Sequence, residues 1–225
     1  QSNVSPNTIS RFSIVKFTGT GANATVGHGL GITPKMIIFK NTSSAVDWRV
    51  YHEALGNTNR LCLNDTSASN NDDSAFNDTS PTPLVFSVGG SSSTNAGTMI
   101  AYCFADVQGF SKMSSYTGNG NADGVFIYTG FKPAWIMIKR TDAANQWIML
   151  NNKMSLYNNN TGDEIYADSS AAQNSFTDGG ADFLSNGFKL RGTNGSVNLD
   201  GGSYIYMCFA ENPFTSSTGT PVTAR

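Results

Sequence analysis

Glutamate is nearly missing from this 225-residue chain, occurring only at positions 53, 164 and 211. Charged residues as a whole make up 13%, about half the average for globular proteins. Helical bundles and coiled coils draw heavily on Glu, Lys and Arg, so the composition argues against them. Net charge is −2 with no basic run, which excludes an obvious nucleic-acid partner. No apolar run approaches the ~20 residues needed to span a bilayer as a helix, so no membrane insertion is expected. Three cysteines, at 62, 103 and 208, are too few and too widely spaced for a disulfide framework. Cys103 in TMIAYCFADV and Cys208 in SYIYMCFAEN read as buried free thiols. No CxxC or His pair accompanies them, so neither a metal nor a cofactor is expected. The opening QSNVSPNTIS has no initiator Met and no apolar leader, and reads as part of a longer or processed chain.

What the chain has in abundance is small neutral polarity. Asn (24), Ser (26), Thr (22) and Gly (23) together form 42% of it. These residues favour turns and strand ends over helix interiors. Hydrophobics at 39% and aromatics at 11% still supply a core, so the chain is not disordered. β-branched and aromatic runs at 12–19, 35–42, 48–55, 61–64, 84–89 and 98–107 are bounded by Gly, Asn, Asp or Pro and predict strands. No sustained 3.6-residue period is present.

The chain also repeats itself. FTGTG at 17–21 returns as YTGNG at 116–120, and PKMIIFK at 34–40 returns as PAWIMIK at 133–139, both at an offset of 99. Across 17–51 this register needs no gap, and it keeps Gly19, Gly21, Gly31, Pro34, Lys40 and Trp48. Phe76, Phe86 and Cys103 recur at 176, 188 and 208 after small insertions. The expectation is all-β: two tandem antiparallel β-sandwich repeats of jelly-roll or lectin-like type, packed without a flexible linker. One fused sandwich built from both repeats is the alternative. The segments are 1–11 (connecting), 12–110, 111–214 and 215–225 (tail). Gly19, Gly21 and Gly31 read as turn positions needing positive φ. Trp48, Trp135 and Trp147 read as core aromatics.

A search for chemistry finds little. Paired carboxylates for glycoside hydrolysis, a GxSxG elbow and a Ser-His-Asp or Cys-His set are not assembled, so no catalytic residue is named. Asp72, Asp73 and Asp78, with Asn70, Asn71 and Asn77, form an acidic stretch without EF-hand spacing. Two long polar segments, 64–83 and 157–182, read as loops of the kind that carries function. Phe76 and Phe176 are expected to pin them to the sandwich. Aromatics beside amides suit sugar recognition, so Tyr157, Tyr166, Asn158, Asn159, Asp163, Asn70, Asn71 and Asp72 are the candidate ligand-binding residues.

GANATVGHGLGITPKMIIFKNTSSAVDWRVYHEAL (21–55), YTGNGNADGVFIYTGFKPAWIMIKR (116–140), DFLSNGFKLRG (182–192) and YIYMCFAENPF (204–214) resemble segments of tail-fibre and related virion proteins of marine bacteriophages. The resemblance covers 12–225. It implies a concanavalin A-like lectin sandwich at a virion surface, outside the cell, that attaches to a host surface glycan or receptor. It also implies contact with other virion chains and a homo-oligomer, a trimer. It supplies no catalytic residues. A structural virion protein (fibre shaft or capsid decoration) and a polysaccharide depolymerase are the alternative readings.

Overall fold

The computed structural model describes residues 2–154, 162–176 and 178–213, with the side chains at 162 and 176 left aside. Tyr157, Asn158 and Asn159 lie outside the described residues, as does the side chain of Phe176. The chain is all-β and divides into two compact units, 1–106 and 107–225.

In the first unit the strands are β1 (Ser2–Asn7), β2 (Phe12–Thr20), β3 (Ala24–Gly27), β4 (Met36–Asn41), β5 (Arg49–His52), β6 (Asn59–Cys62), β7 (Asn70–Asn71), β8 (Val85–Val88) and β9 (Ala96–Phe104). Two one-turn helices, α1 (Asp73–Phe76) and α2 (Ser92–Asn95), interrupt them. A larger antiparallel sheet runs β1-β2-β9-β4-β5-β6-β7, and β3 pairs with β8. Val15, Phe17, Ile37, Phe39, Met99 and Cys103 from the large sheet meet Val26, Phe86 and Val88 from the small one. That shared core makes the unit a sandwich. Phe76 enters it through ring contacts with Phe39 and Tyr51, pinning α1 as expected.

In the second unit the strands are β10 (Ser111–Thr117), β11 (Phe126–Tyr128), β12 (Pro133–Arg140), β13 (Trp147–Asn151), β14 (Gly162–Tyr166), β15 (Asn174–Phe176), β16 (Ala181–Leu184), β17 (Gly187–Leu190) and β18 (Ser203–Ala210). Its larger sheet runs β10-β18-β12-β13-β14-β15 and its smaller one β11-β17-β16. Ile136, Ile138, Leu150, Tyr206 and Cys208 face Ile127, Phe183, Phe188 and Leu190 across the core. Cys103 and Cys208 are buried free thiols, and burial pushes the Cys103 thiol up to about 12.

The same polar clamp closes both units. Asn95, buried at the end of α2, accepts from Thr20 N through Oδ1 (3.0 Å) and donates through Nδ2 to Ala22 O and Gly89 O (2.6 Å each). Its own carbonyl accepts from Gly21 N at 2.7 Å. Asn198, also buried, accepts from Asn119 N (3.0 Å) and donates to Asn121 O (3.0 Å) and Gly192 O (2.8 Å). Its carbonyl accepts from Gly120 N at 3.0 Å. Residues 20, 21 and 22 stand to 119, 120 and 121 at the offset of 99. The turn so held needs a left-handed residue, Gly21 (φ 71) or Gly120 (φ 59). Gly19 differs from expectation. Its φ is not positive; glycine is needed because a Cβ would overlap the backbone of Asn95 and Ala96, as one at Gly118 would overlap Leu199 O.

Several sequence readings need correction. Residues 2–7, expected as a connecting segment, form β1, whose polar composition and Pro6 suit a sheet edge. Segments 64–83 and 157–182 are not simple loops. The first holds β7 and α1, the second β14, β15 and the start of β16. Of the tryptophans only Trp147 is buried; Trp48 and Trp135 are partly exposed. Trp48 lies outside the core cluster, stacked on Tyr102 at 6.5 Å with Lys40 Nζ 5.3 Å from its ring. Strand alternation puts 48, 135 and 147 alike on the faces opposite the inner cores, since Tyr51, Ile136, Ile148 and Leu150 are the residues turned into those cores.

Removing either clamp strands a backbone amide and two carbonyls, so Asn95→Ala and Asn198→Ala should each cost about 2–4 kcal/mol in denaturant unfolding. A loss under about 0.5 kcal/mol in either variant would refute the role given to the clamp.

Candidate functional site

The candidate ligand residues within the described chain fall on strand edges. Asn70 and Asn71 are exposed and form β7, paired with Arg60 and Asn59. Asp72 accepts from Arg60 Nε (3.2 Å) and Ser74 Oγ (2.6 Å). Burial alone would raise its pKa, but these bonds hold the carboxyl below the ordinary range. Asp163 accepts from Ser175 Oγ at 2.8 Å. Tyr166 packs against the core and donates its hydroxyl to Glu164. These residues are therefore engaged in tying outer strands together, and Tyr166 offers only part of its ring to solvent.

Glu164 is the most constrained carboxylate. It is fully buried; Oε1 accepts from Tyr166 and from Asn174 Nδ2 (3.5 Å), while Oε2 has no partner. Burial pushes its pKa up, as it does for the Tyr166 phenol. On the first unit's outer strands, Asp47, Cys62 and Asp65 bring ligand atoms within 4.8 Å of one another. Arg49 Nη1 lies 2.5 Å from Cys62 Sγ and 3.2 Å from Asp47, and Arg60 Nη1 lies 3.2 Å from the same sulfur. Two guanidinium groups thus already supply positive charge beside these carboxylates. Asp72, Asp73 and Asp78 form no such group among the described residues.

The arrangement best suited to a ligand is one that the sequence reading did not single out. Where β12 begins and β13 and β18 end, an open cleft of about 740 Å³ is lined by Lys132, Ala134, Asn151, Asn152, Lys153, Glu211 and Asn212. Antiparallel pairing gathers them: Trp135 pairs with Asn151, and Pro133 with Ala210. Glu211 accepts from Lys132 Nζ (2.8 Å) and Asn152 Nδ2 (2.7 Å). The Lys132 hydrogen bond, followed by the neighbouring charges, holds its carboxyl below the ordinary range. Asn151 Oδ1 caps the backbone amides of Lys153 (2.9 Å) and Met154 (3.0 Å). The cleft presents amides, ammonium groups and one ionised, saturated carboxylate. That set can hydrogen-bond hydroxyl or carboxylate groups. Glu211 is the only carboxylate among its described lining residues, and it is poorly placed to give up or take a proton at neutral pH. Adjacent strand ends supply the site, a signal invisible until pairing is known.

Glu164 yields a signed prediction. A raised pKa means that the folded chain holds the proton more tightly than the unfolded one. This contribution is complete below the ordinary Glu value of ~4.3 and is lost as pH rises through the raised value. Glu164→Gln should therefore match the parent near pH 4 and exceed its stability by about 1 kcal/mol at pH 8. Parallel pH–stability curves for the two proteins would contradict this.

No curated protein and no solved structure matches the chain. One family does, along residues 1–213. With both sandwiches and the cleft inside that span, the chain belongs to the family described as "Domain of unknown function (DUF7483)".

Proposed function

We propose that the chain is a non-enzymatic binding module of a phage virion, tail-fibre-like, that attaches to host surface glycan. The cleft at Lys132, Asn151, Asn152, Lys153, Glu211 and Asn212 carries this reading. Its groups are those that recognise sugar hydroxyls and acidic sugar substituents, and it is too open to exclude water from a reaction. A depolymerase would call for two carboxylates some 5–10 Å apart across the scissile bond, whereas Glu211 stands alone among the described lining and is paired with Lys132. The two sandwiches are, in this proposal, copies of one ancestral unit, supported by the matching Asn95 and Asn198 networks. A shallow polar site binds weakly, on the order of 1 mM, so useful attachment needs several copies. A trimeric fibre end would supply them.

Lys153 and Asn212 are exposed, so replacing both with Ala should leave the fold intact. The double variant should lose roughly tenfold in binding to a glycan array and to host cells. Parent protein that binds neither glycan nor cells would overturn the proposal and favour a structural virion protein.

A further inference from the structure

The second unit exposes two aromatic rings that the fold does not require. Phe126 is 44% and Tyr128 60% exposed. They sit two residues apart on β11, with Ile127 between them turned into the core. Both rings therefore rise from one face of the strand, with Cα atoms about 6.5–7 Å apart. Phe126 leans over Gly187, where a Cβ would lie 3.1 Å from its Cε2. Tyr128 reaches back over Gly130, its hydroxyl 3.6 Å from where a Cβ would stand.

At the offset of 99 the first unit carries Gly27 and Gly29 in place of the two rings. There Val4 and Pro6 of β1 fill the space beside Gly29, 3.0 and 3.2 Å from an added Cβ. The first sandwich thus forms with glycine at both positions where β1 covers Gly29, whereas in the second unit, whose larger sheet begins at β10, both rings stay open to solvent. Contiguous exposed apolar surface rimmed by polar groups is a mark of interaction sites.

The rim is charged. Register places Lys189 beside Phe126 and Asp182 beyond it. Lys189 pairs with Asp123 (2.6 Å), and Arg191 with Asp182 (2.6 Å) and Asp123 (3.4 Å), so this flank is balanced. Lys112 is not. Its Nζ donates to Tyr128 O (2.9 Å) and lies 5.6 Å from the Tyr128 ring centroid, with no carboxylate partner among the described residues. It is one uncompensated cation at the edge of a two-ring platform.

We propose that Phe126 and Tyr128 form a stacking platform for an anionic polysaccharide, with Lys112 receiving its carboxylate or sulfate group. The weakly positive C–H face of a pyranose ring meets the negative π-face of an aromatic. Two rings at this spacing take two positions along one chain. The ammonium of Lys112 holds an anionic substituent next to the ring that it already flanks. The inference rests on the glycan-binding reading but places a second contact outside the cleft.

The test is a titration of the full chain, followed by NMR, with three probes: an oligogalacturonate hexamer, a carboxylate-free sulfated carrageenan hexasaccharide and neutral maltohexaose. The two anionic probes distinguish a carboxylate source from a sulfate source. Phe126→Ala and Tyr128→Ala should each weaken the better anionic probe about 5- to 10-fold, with thermal unfolding unchanged. Lys112→Met should erase the preference over maltohexaose while both rings still respond. The Lys153→Ala/Asn212→Ala protein should keep the response at Phe126 and Tyr128. Anionic binding that survives loss of both rings and disappears with the cleft variant would overturn the platform and leave the glycan reading standing. A parent protein whose Phe126 and Tyr128 resonances respond to none of the three probes would overturn the platform as well.

Discussion

In each unit a strand end, a glycine turn and a helical turn meet on one buried amide: Asn95 in the first and Asn198 in the second. An Asn side chain offers one acceptor and two donors, and each of these two has partners for both functions. Buried polar groups are costly when half satisfied and specifying when fully satisfied. The clamp fixes where β2 and β10 end and how the chain re-enters the smaller sheet. Gly19 and Gly118 follow from it, since each strand passes too close to the clamped backbone for a Cβ.

Much of this was legible in the residues. The central strands β2, β4, β9 and β12, and β8 of the smaller sheet, are apolar runs rich in β-branched and aromatic residues, and burial makes such runs conspicuous. What the pattern concealed were the edges. β1, β7 and β15 are polar edge strands, because an outer strand gains its place from backbone pairing and not from its side chains. Their Asn, Asp and Ser content reads as loop in sequence and as strand once the neighbour is known. The tryptophans misled for a related reason. Trp48 and Trp147 occupy equivalent places, each beneath a lysine, yet Trp147 is buried and Trp48 is not. Both lie on the face turned away from the inner core, so the surroundings of that face, and not the side chain, decide the burial.

The candidate site was less legible than the fold. Sequence reasoning looks for long polar segments and finds residues such as Asp72, Asp163 and Tyr166, whose polar groups are taken up by Arg60, Ser175 and Glu164. The groups left open to a ligand come instead from three strand ends far apart in sequence, at 132, 151–153 and 211–212. Phe126 and Tyr128 carry no distinct signal in the sequence, because alternating aromatics on a short strand look like packing. Only the comparison with Gly27 and Gly29 separates what the sandwich needs from what the second unit has added.

The account depends on the clamps being the firmest polar element of each unit. Native-state hydrogen exchange at the amides of Thr20 and Asn119 tests this directly, since each donates to a clamp side chain (3.0 Å) at the mouth of an exposed turn. Both amides should exchange only through openings whose free energy approaches that of the central strands β9 and β18. Exchange of either amide at the rate of neighbouring exposed turn amides would contradict the account.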